Sequence, residues 1–435
     1  TDDIIVNVDP ASVGGTASAD QTICSGSTPN DISLTGYTGD IQWQSSPDGT
    51  SGWADISGAN SATLTSAEMG ALTSTTWYRA EVTSGVCDPD YSNSVTVTVN
   101  PLPTLTAATQ DAAVCENTAA TINITGLLPN RTFTVDYSIN SVAQSAVTGL
   151  TADASGNSSF STGNLTAAND GQTLQITGIT ITSATPNCSE SFAIDAALTV
   201  YTTPSFTACP SPVNLNNEAE VCTATGTYTA TATGTPAPDI TYAFSGATTE
   251  TGTGTGSGSV FNTGTTNVTI TATNTCGSVE CSFTVTVTDN ENPVISCPAN
   301  ITVNNTSGYC YATAADVNLV DATATDNCSA NPSISGTRSD GLDLTDNYPV
   351  GTTTITWEAS DGTNTATCEQ TVTVNDNEAP TFTLPGDITL DANASCDINR
   401  DPAQTGNIIN PNDNCTSSAN LTITYSDGAN VAGTC

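Results

Sequence analysis

The residues of this chain that could take part in chemistry are almost all carboxylates. The sequence contains 43 aspartates plus glutamates against four basic residues, with no histidine and a formal net charge of −39. Without histidine or lysine, base-activated nucleophiles, Schiff bases and His-ligated zinc sites cannot be built. Catalysis by paired carboxylates stays open by residue type, but no segment looks like a separate catalytic domain. We therefore predict that the protein is not an enzyme.

The negative charge also bears on the possible partners. It repels nucleic acid and anionic membranes, and it attracts cations. The simpler interpretation is that it keeps an exposed protein soluble. The more specific hypothesis is that some of the carboxylates bind divalent metal ions.

Two acidic linkers are the strongest candidates for such a metal site. They are Asp289-Asn290-Glu291-Asn292-Pro293 and Asp376-Asn377-Glu378-Ala379-Pro380. Calcium takes about six to eight oxygen ligands from carboxylates and carbonyls, and clustered Asp, Asn and Glu supply them. The alternative is that each linker is a turn with solvated charges, a role that these residue types also favour.

The cysteines indicate an exported protein. There are 15 of them, none in a CxxC pair and none near a histidine. This usage favours disulfides over zinc or redox chemistry, and disulfides persist in an oxidising compartment. No run of about 20 apolar residues is present, so we predict no membrane-spanning segment.

One phrase recurs along the chain and defines its organisation. It is an alternating Val/Thr segment followed by a polar turn and a proline, with a period of about 90 residues, the size of one small β-sandwich. It reads IIVNVDP to Pro10, VTVTVNP to Pro101, LTVYTTP to Pro204, FTVTVTDNENP to Pro293 and QTVTVNDNEAP to Pro380. Period-2 alternation puts one face of a strand into a core. We predict an all-β fold, a tandem array of Ig-like β-sandwich modules stapled by disulfides.

The prolines set the boundaries of the predicted modules. Residues 1–10 are interpreted as the closing strand of a preceding module, and residues 381–435 as a truncated module. The complete modules are predicted at 11–101, 102–204, 205–293 and 294–380.

The topology of a sandwich brings further carboxylates to the linkers. When the last strand runs to the C-terminal end of a module, the loop before that strand lies at the N-terminal end. We expect the loop that carries ATDNC to lie there as well. Asp326 and Asp361 should therefore approach the linker at 289–293, and Asp413 the linker at 376–380.

The first module carries the motifs ICSG, IQWQSSPDGTSGWADISGANSATL and TTWYRAEVTSGVCDPDYSNSVTVTVNP. On these motifs residues 11–101 resemble the Ig-like repeats of giant surface proteins of the Bacteroidota, and residues 102–204 share the layout. Trp43 lies on an alternating strand and should fill the core. We expect it beside a bridge from Cys24 to Cys87, with Cys115 and Cys188 as the pair of the next module.

Residues 205–293, 294–380 and 381–435 carry a different set of motifs in the same order. These are CPSPVNL and CPANITV, ATDNC, YPVGTTTITWEASDGTNTATC, and the endings VTDNENP and VNDNEAP. On these motifs the three modules resemble hyalin (HYR) repeats, a sandwich family of extracellular adhesive proteins. The third copy departs from the pattern at Leu384-Pro385, where Cys-Pro is expected.

The hyalin resemblance implies a scheme of bridges. In an Ig-like sandwich the first and last strands run parallel, so Cys297 should pair with Cys368 and Cys209 with Cys281. The scheme then pairs Cys310 with Cys328, Cys222 with Cys276, and Cys396 with Cys415, and it leaves Cys435 over. A rival scheme pairs Cys297 with Cys310, but it would leave Cys396 without a partner.

The acidic linkers also resemble the DxNDNAP junctions of cadherins, with one residue inserted. This resemblance implies calcium at the module junctions. The candidate ligands are Asp289, Glu291, Asp326, Asp361, Asp376, Glu378 and Asp413.

The leading hypothesis for function is the stalk of a secreted bacterial cell-surface adhesin. The Bacteroidota resemblance implies export by the type IX secretion machinery and a role as a gliding-motility adhesin. One alternative is an array of carbohydrate-binding modules that recognise polysaccharide through Trp53 or Trp77, although core packing is the simpler role for both. Another is a structural subunit of an extracellular filament or sheath.

Overall fold

A computed structural model of the chain describes residues 8–391, 398 and 400–426. Strands dominate it, and each α-helix within the described residues is four residues long. Val95 and Val97 are 0% exposed in the closing strand of the first module, as the Val/Thr alternation predicts. The prediction of an all-β array of sandwich modules is confirmed.

Residues 11–101 form two sheets around Trp43, whose Nε1 donates a hydrogen bond to the Ser61 carbonyl (2.8 Å). The sheets have the orders β1-β3-β6 and β2-β9-β7-β4-β5, with β8 beside β7, and β2 is parallel to β9. The elements are β1 (Thr16–Ala17), β2 (Gln21–Cys24), β3 (Ile32–Thr35), β4 (Asp40–Ser46), β5 (Ala54–Asp55), β6 (Thr63–Leu64), α1 (Ser66–Met69), β7 (Thr76–Thr83), β8 (Asp90–Tyr91) and β9 (Val95–Asn100).

The second module has its own core around Phe133 and Ile176. Its sheets have the orders β10-β12-β16 and β14-β13-β17-β18, with β15 beside β13, and β11 is parallel to β19. The elements are β10 (Ala107–Gln110), β11 (Val114–Cys115), β12 (Thr118–Thr125), β13 (Thr132–Ile139), β14 (Val142–Ala143), β15 (Val147–Thr151), β16 (Asn157–Leu165), a 3₁₀ turn (Ala167–Asn169), β17 (Thr173–Ile181), β18 (Cys188–Ala197) and β19 (Val200–Ala208).

The third module is built on the sheet β20-β27-β26-β23-β24, in which β20 is parallel to β27. A smaller sheet pairs β21 with β25, and β22 adds to β19. The elements are β20 (Val213–Asn216), β21 (Thr223–Thr225), β22 (Thr231–Thr235), β23 (Asp239–Gly246), β24 (Glu250–Thr253), β25 (Val260–Asn262), β26 (Gly264–Asn274) and β27 (Gly277–Thr288).

The fourth module packs around Trp357 and Tyr348. Its main sheet is β29-β35-β34-β32, with β29 parallel to β35, and smaller sheets pair β28 with β31 and β30 with β33. The elements are β28 (Val294–Ser296), β29 (Ile301–Asn304), β30 (Tyr311–Ala312), α2 (Ala314–Val317), β31 (Thr323–Thr325), β32 (Ser333–Arg338), β33 (Tyr348–Pro349), β34 (Gly351–Ser360) and β35 (Thr365–Asn375).

The described part of the last segment contains one strand pair. Its elements are β36 (Thr381–Thr383), α3 (Pro402–Thr405), β37 (Ile409–Asn412) and a 3₁₀ turn (Ser418–Asn420), and β36 pairs with β37. Residues 1–7 of the predicted closing strand, and Cys396 and Cys435, lie outside the described residues.

The chain forms two compact units. One holds the described residues through Thr207 with Ala232–Asp239 and Ala272–Val279, and the other holds Ala208–Thr231, Ile240–Thr271 and the described residues from Glu280. None of the helices in the described part of the chain has the length and hydropathy needed to cross a bilayer.

Among the described residues, two disulfides lie within modules, and both are pairs that the sequence predicts: Cys209–Cys281 and Cys297–Cys368. The other three join consecutive modules. They are Cys24–Cys188, Cys115–Cys276 and Cys222–Cys328. The predicted pairs Cys24–Cys87, Cys115–Cys188, Cys222–Cys276 and Cys310–Cys328 are therefore wrong. Cys87, Cys310 and Cys415 are not bridged in the structure.

The directions of the strands explain the error in the fourth module. Asn305 follows β29 and its backbone N–H donates to the carbonyl of Asn375 at the end of β35 (3.0 Å), which places Cys310 at the C-terminal end. Cys328 follows Asp326 at the N-terminal end, beside Asp289. Strand β35 has 11 residues and spans roughly 35 Å at about 3.3 Å per residue. A disulfide requires Cα atoms within about 7 Å, so Cys310 and Cys328 cannot meet.

The first module repeats this arrangement. Cys24 lies opposite Asn100 at the ends of the parallel strands β2 and β9. The Asn100 side chain donates to the carbonyl of Thr185, three residues before Cys188 (3.4 Å). Cys87, at the other end, follows β7, and its Sγ is 3.6 Å from the carbonyl oxygen of Pro10. Each cysteine therefore faces a neighbouring module or linker rather than the other cysteine.

Candidate metal centre at a module junction

The linker after β27 is held in place by side chains of the preceding module. The backbone N–H of Asn290 donates to Asn217 Oδ1 (3.0 Å), and the N–H of Glu291 donates to Asp289 Oδ1 (3.2 Å). Asn217 in turn donates to the carbonyl of Val221 (3.1 Å). These bonds fix Asp289 at the point where one module ends and the next begins.

Asp326 reaches the same point from the loop after β31. Its Oδ2 accepts hydrogen bonds from the backbone N–H groups of Cys328 (2.8 Å) and Ser329 (2.7 Å). Its Oδ1 is buried and has no hydrogen-bond partner among the described residues. An unsatisfied buried acceptor costs about 1–3 kcal/mol. A cation beside Oδ1 would remove this cost.

Asp361 is the third carboxylate, in the turn between β34 and β35. Burial alone would raise its pKa, but hydrogen bonds from the backbone N–H groups of Asn364 and Thr363 outweigh burial and lower it. The Asn364 side chain donates to the backbone carbonyl of Asp289 (3.2 Å), which ties this turn to the linker. Asp361 is therefore held as an anion at the junction.

Burial and neighbouring negative charges both act on Asp289. Burial, followed by the negative charges of Asp326, Asp361 and Glu291, raises the pKa of the Asp289 carboxyl above its ordinary value. The ligand atoms of Asp289, Asp326 and Cys328 lie within 4.8 Å of one another. A divalent cation at this position would neutralise the repulsion between these carboxylates.

The donor set favours a hard cation. Cys328 cannot act as a thiolate ligand, because its Sγ is bonded to Cys222. The remaining donors are carboxylate and carbonyl oxygens, which suit calcium or magnesium rather than zinc. The junction thus brings the ligand atoms of Asp289 and Asp326 together, and the turn that carries Asp361 is tied to the same linker, so all three carboxylates lie at this junction as the sequence predicts.

Glu291 makes a contact that the sequence does not predict. Its carboxylate accepts the backbone N–H of Glu220 (3.1 and 3.2 Å), so it ties the linker to the preceding module and is not in the group of close ligand atoms. The sequence interpretation also missed Cys222 at this junction. The topology that predicted Asp326 at the linker could have revealed it, because it places Cys328 there as well.

The second junction repeats these contacts. The N–H of Glu378 donates to Asp376 Oδ1 (3.2 Å), and the Glu378 carboxylate accepts the N–H of Gly308 (3.0 Å). Asp413 Oδ2 accepts from the N–H groups of Cys415 (3.1 Å) and Thr416 (2.7 Å). Asp376 and Asp413 both lie close enough to Cys415 to raise the pKa of its thiol, after the larger effects of burial and of Cys310.

The two tryptophans considered for sugar binding are covered by other groups. The Arg79 guanidinium lies over the Trp53 ring, 4.2 Å from its centroid, and over the Tyr91 ring at 3.9 Å. Gly49 packs so closely against Trp77 that a Cβ at this glycine would lie 2.7 Å from the indole. Each ring is partly exposed and packs against another group of its own module.

Comparison with protein families identifies two modules. The model of the HYR domain family matches residues 288–374. The model of a family described as a domain of unknown function (DUF8696) matches residues 13–101. The HYR match confirms the resemblance to hyalin repeats for the fourth module. No curated protein matches the chain.

Solved structures that resemble the chain are themselves arrays of domains. Sidekick-1 immunoglobulin domains 1–5 are 16% identical, with 84% of this chain and 81% of that chain covered and a TM-score of 0.26. The I-band fragment I67–I69 from titin is 13% identical, with 63% and 98% covered and a TM-score of 0.37. Drosophila N-cadherin EC1–4 is 13% identical, with 82% and 99% covered and a TM-score of 0.25. All three scores are below 0.5, so these likenesses carry no inference about function.

Proposed function

We propose that this chain is part of the stalk of a secreted bacterial adhesin, exported by the type IX machinery and displayed on the cell surface of gliding bacteria. The observation that carries the proposal is the set of disulfides between consecutive modules, Cys24–Cys188, Cys115–Cys276 and Cys222–Cys328. The HYR match and the extracellular nature of disulfide-rich sandwich modules support it. The ligand of such a stalk would be a surface or an extracellular polymer such as polysaccharide.

Covalent junctions suit a chain that transmits force. In an array of modules held only by linkers and small contacts, a pulling force reaches each module through its two terminal strands. A disulfide between the end of one module and the start of the next provides a second covalent path beside the linker. Force is then shared between two connections at each such junction.

The stalk proposal is tested by pulling single molecules of the whole chain. We expect the junctions to remain closed under load in oxidising buffer. A reducing agent that cleaves the junction disulfides should lengthen the molecule before any module unfolds. Saturable binding of the same chain to a glycan array would contradict the stalk proposal and favour direct carbohydrate recognition.

Calcium at the acidic junctions is the second part of the proposal. Asp289, Asp326 and Asp361 would hold the ion at 289–293, and Asp376 and Asp413 would hold one at 376–380. Glu291 and Glu378 would keep the linkers in position. The unsatisfied Asp326 Oδ1 supports this assignment more directly than charge alone. Bound calcium would replace repulsion between the carboxylates by attraction to one shared cation.

Removing calcium is therefore expected to weaken the junction. If free calcium exceeds Kd 100-fold, chelation should cost about 2.7 kcal/mol of stability at the site. Equilibrium dialysis measures the calcium content of the chain. The melting temperature, with and without chelator, measures the loss of stability. Asp289→Asn, which removes one charge without changing the size of the side chain, should lower the calcium content by one ion per chain.

A matched control is available on the same strand. Glu280 is exposed on β27, away from the linker, so Glu280→Gln removes the same charge without touching the site. It should bind as much calcium as the unmodified chain and respond to chelator to the same degree. Equal calcium content in Asp289→Asn and Glu280→Gln would rule out the site.

A further inference from the structure

Two junctions of this chain are built from the same contacts. In the first, Asn217 Oδ1 accepts the N–H of Asn290 (3.0 Å), and in the second, Asn305 Oδ1 accepts the N–H of Asn377 (3.2 Å). The side chains of these two asparagines then donate to a carbonyl four residues later, that of Val221 (3.1 Å) or Tyr309 (2.9 Å). At both junctions, the end of the module before the linker is therefore held by the same hydrogen bonds.

The start of the following module is matched as well. Asn327 Nδ2 donates to the carbonyl of Val221 (3.2 Å), and Asn414 Nδ2 donates to the carbonyl of Tyr309 (3.0 Å). Each of these contacts joins the residue before one cysteine to the residue before another. Val221 and Asn327 precede Cys222 and Cys328, and Tyr309 and Asn414 precede Cys310 and Cys415.

The cysteines of the first junction are bonded to each other. Those of the second, Cys310 and Cys415, lie in the corresponding positions, each directly after a member of the hydrogen-bonded pair Tyr309 and Asn414. We propose that Cys310 and Cys415 form a disulfide in the mature protein, a fourth bond between consecutive modules. The junction between the module at 294–380 and the segment from 381 is then covalently closed like the three before it.

This bond forms by exchange with a disulfide of the oxidising compartment, either of a thiol oxidoreductase or of a small molecule. One thiolate attacks the external disulfide and forms a mixed disulfide, and the first external thiol leaves. The other thiolate attacks the cysteine sulfur of the mixed disulfide, and the second external thiol leaves. The two cysteine protons pass to the two departing thiolates, so the external disulfide is reduced while the protein pair is oxidised.

The assignment replaces the expectation that Cys310 pairs with Cys328, which the structure contradicts, since Cys328 is bonded to Cys222. It also replaces the predicted pair of Cys415 with Cys396, which lies outside the described residues. It also gives one rule for all four junctions. A cysteine at the C-terminal end of one module bonds to a cysteine at the N-terminal end of the next. The modules are cross-linked in series, each to the next.

The experiment maps free and bonded cysteines in the whole chain after secretion into an oxidising compartment. The chain is denatured at acidic pH, labelled with N-ethylmaleimide without reduction, digested and analysed by mass spectrometry. We expect a cross-linked peptide containing Cys310 and Cys415, with neither residue labelled. Labelling of either cysteine, or a peptide that joins Cys415 to Cys396, would overturn the proposal.

A pair of variants separates this bond from its neighbour. Cys415→Ser should change labelling of Cys310 from near zero to near completion and leave Cys222 and Cys328 unlabelled. Cys222→Ser should expose Cys328 and leave Cys310 and Cys415 unlabelled. If Cys310 stays unlabelled in Cys415→Ser, it has another partner and the proposal fails.

Discussion

Replacing Cys297 and Cys368 together by alanine is expected to lower the free energy of unfolding of the fourth module by about 4 kcal/mol. The two cysteines are 71 residues apart, and a closed loop of that length removes about this much conformational free energy from the unfolded chain. The module has a small core around Trp357 and Tyr348. A loss of this size would therefore be a large part of the stability of a small domain, which is about 5–15 kcal/mol.

Amide hydrogen exchange of the whole chain measures this effect locally. Peptides from β34 and β35 should exchange about 1,000-fold faster in the double variant, because each 1.4 kcal/mol is about a factor of ten. The control is Cys222→Ala with Cys328→Ala, which removes a bond between modules. In that control we expect faster exchange at the linker 289–293 and little change in β34. Equal changes in β34 in the two double variants would show that the bond inside the module has no special role.

The second large effect is expected at Arg338, whose side chain is 0% exposed and forms an ion pair with Asp340 (2.6 Å). The guanidinium also lies over the ring of Tyr348, 3.9 Å from its centroid. It donates to the backbone carbonyls of Asp343 (2.9 Å), Asp346 (3.0 Å) and Asn347 (3.0 Å). The arginine therefore closes the loop between β32 and β33.

Arg338→Met should destabilise the module by about 3 kcal/mol, because it removes the hydrogen bonds from this buried guanidinium to three backbone carbonyls and one carboxylate, each of which contributes about 1 kcal/mol. Arg338→Lys keeps the charge but cannot reproduce the several N–H donors of the planar guanidinium, so we expect a smaller loss of stability than in Arg338→Met. Amide hydrogen exchange rates in the loop 339–347 measure the loss of stability in both variants. Arg79→Met is the matched control, because Arg79 is partly exposed over Trp53 and Tyr91. If Arg79→Met loses as much stability as Arg338→Met, the special role of the buried arginine is contradicted.

The pH dependence of the Arg338 effect has a defined sign. The hydrogen bond from Arg338 lowers the pKa of Asp340 in the folded state. A carboxyl with a lowered folded pKa stabilises the protein above its unfolded pKa of about 3.9, and this contribution is lost as the pH falls through the folded value. The difference in the free energy of unfolding between the unmodified chain and Arg338→Met should therefore be largest at neutral pH and should decrease below about pH 4.

Much of the fold could be predicted from local sequence. The alternation in VTVTVNP predicts a strand with one buried face, and Val95 and Val97 are buried as expected. The parallel first and last strands predict the bridge from Cys297 to Cys368, which the structure contains. Each of these predictions depends on residues within one strand or one strand pair.

The approach of Asp326 and Asp361 to Asp289 could also be predicted, because strand direction alone decides which loops lie at the same end of a sandwich. The role of Arg338 could not. Its burial depends on how the loop from 339 to 347 folds back over Tyr348, and nothing in the spacing of these residues indicates that conformation. The contact of Glu291 could not be predicted for a similar reason, since its carboxylate accepts the N–H of Glu220 in the preceding module.

The sequence by itself determined the strands, the repeat of about 90 residues, and the acidic linkers, because hydrophobic alternation and turn residues act over short distances. Only the tertiary structure decided the partner of each junction cysteine. A disulfide requires two Cα atoms within about 7 Å, and Cys310 and Cys328, which are neighbouring cysteines in the sequence of the fourth module, lie at its opposite ends. Their neighbours in space belong to adjacent modules, so Cys328 bonds to Cys222, 106 residues away, rather than to Cys310.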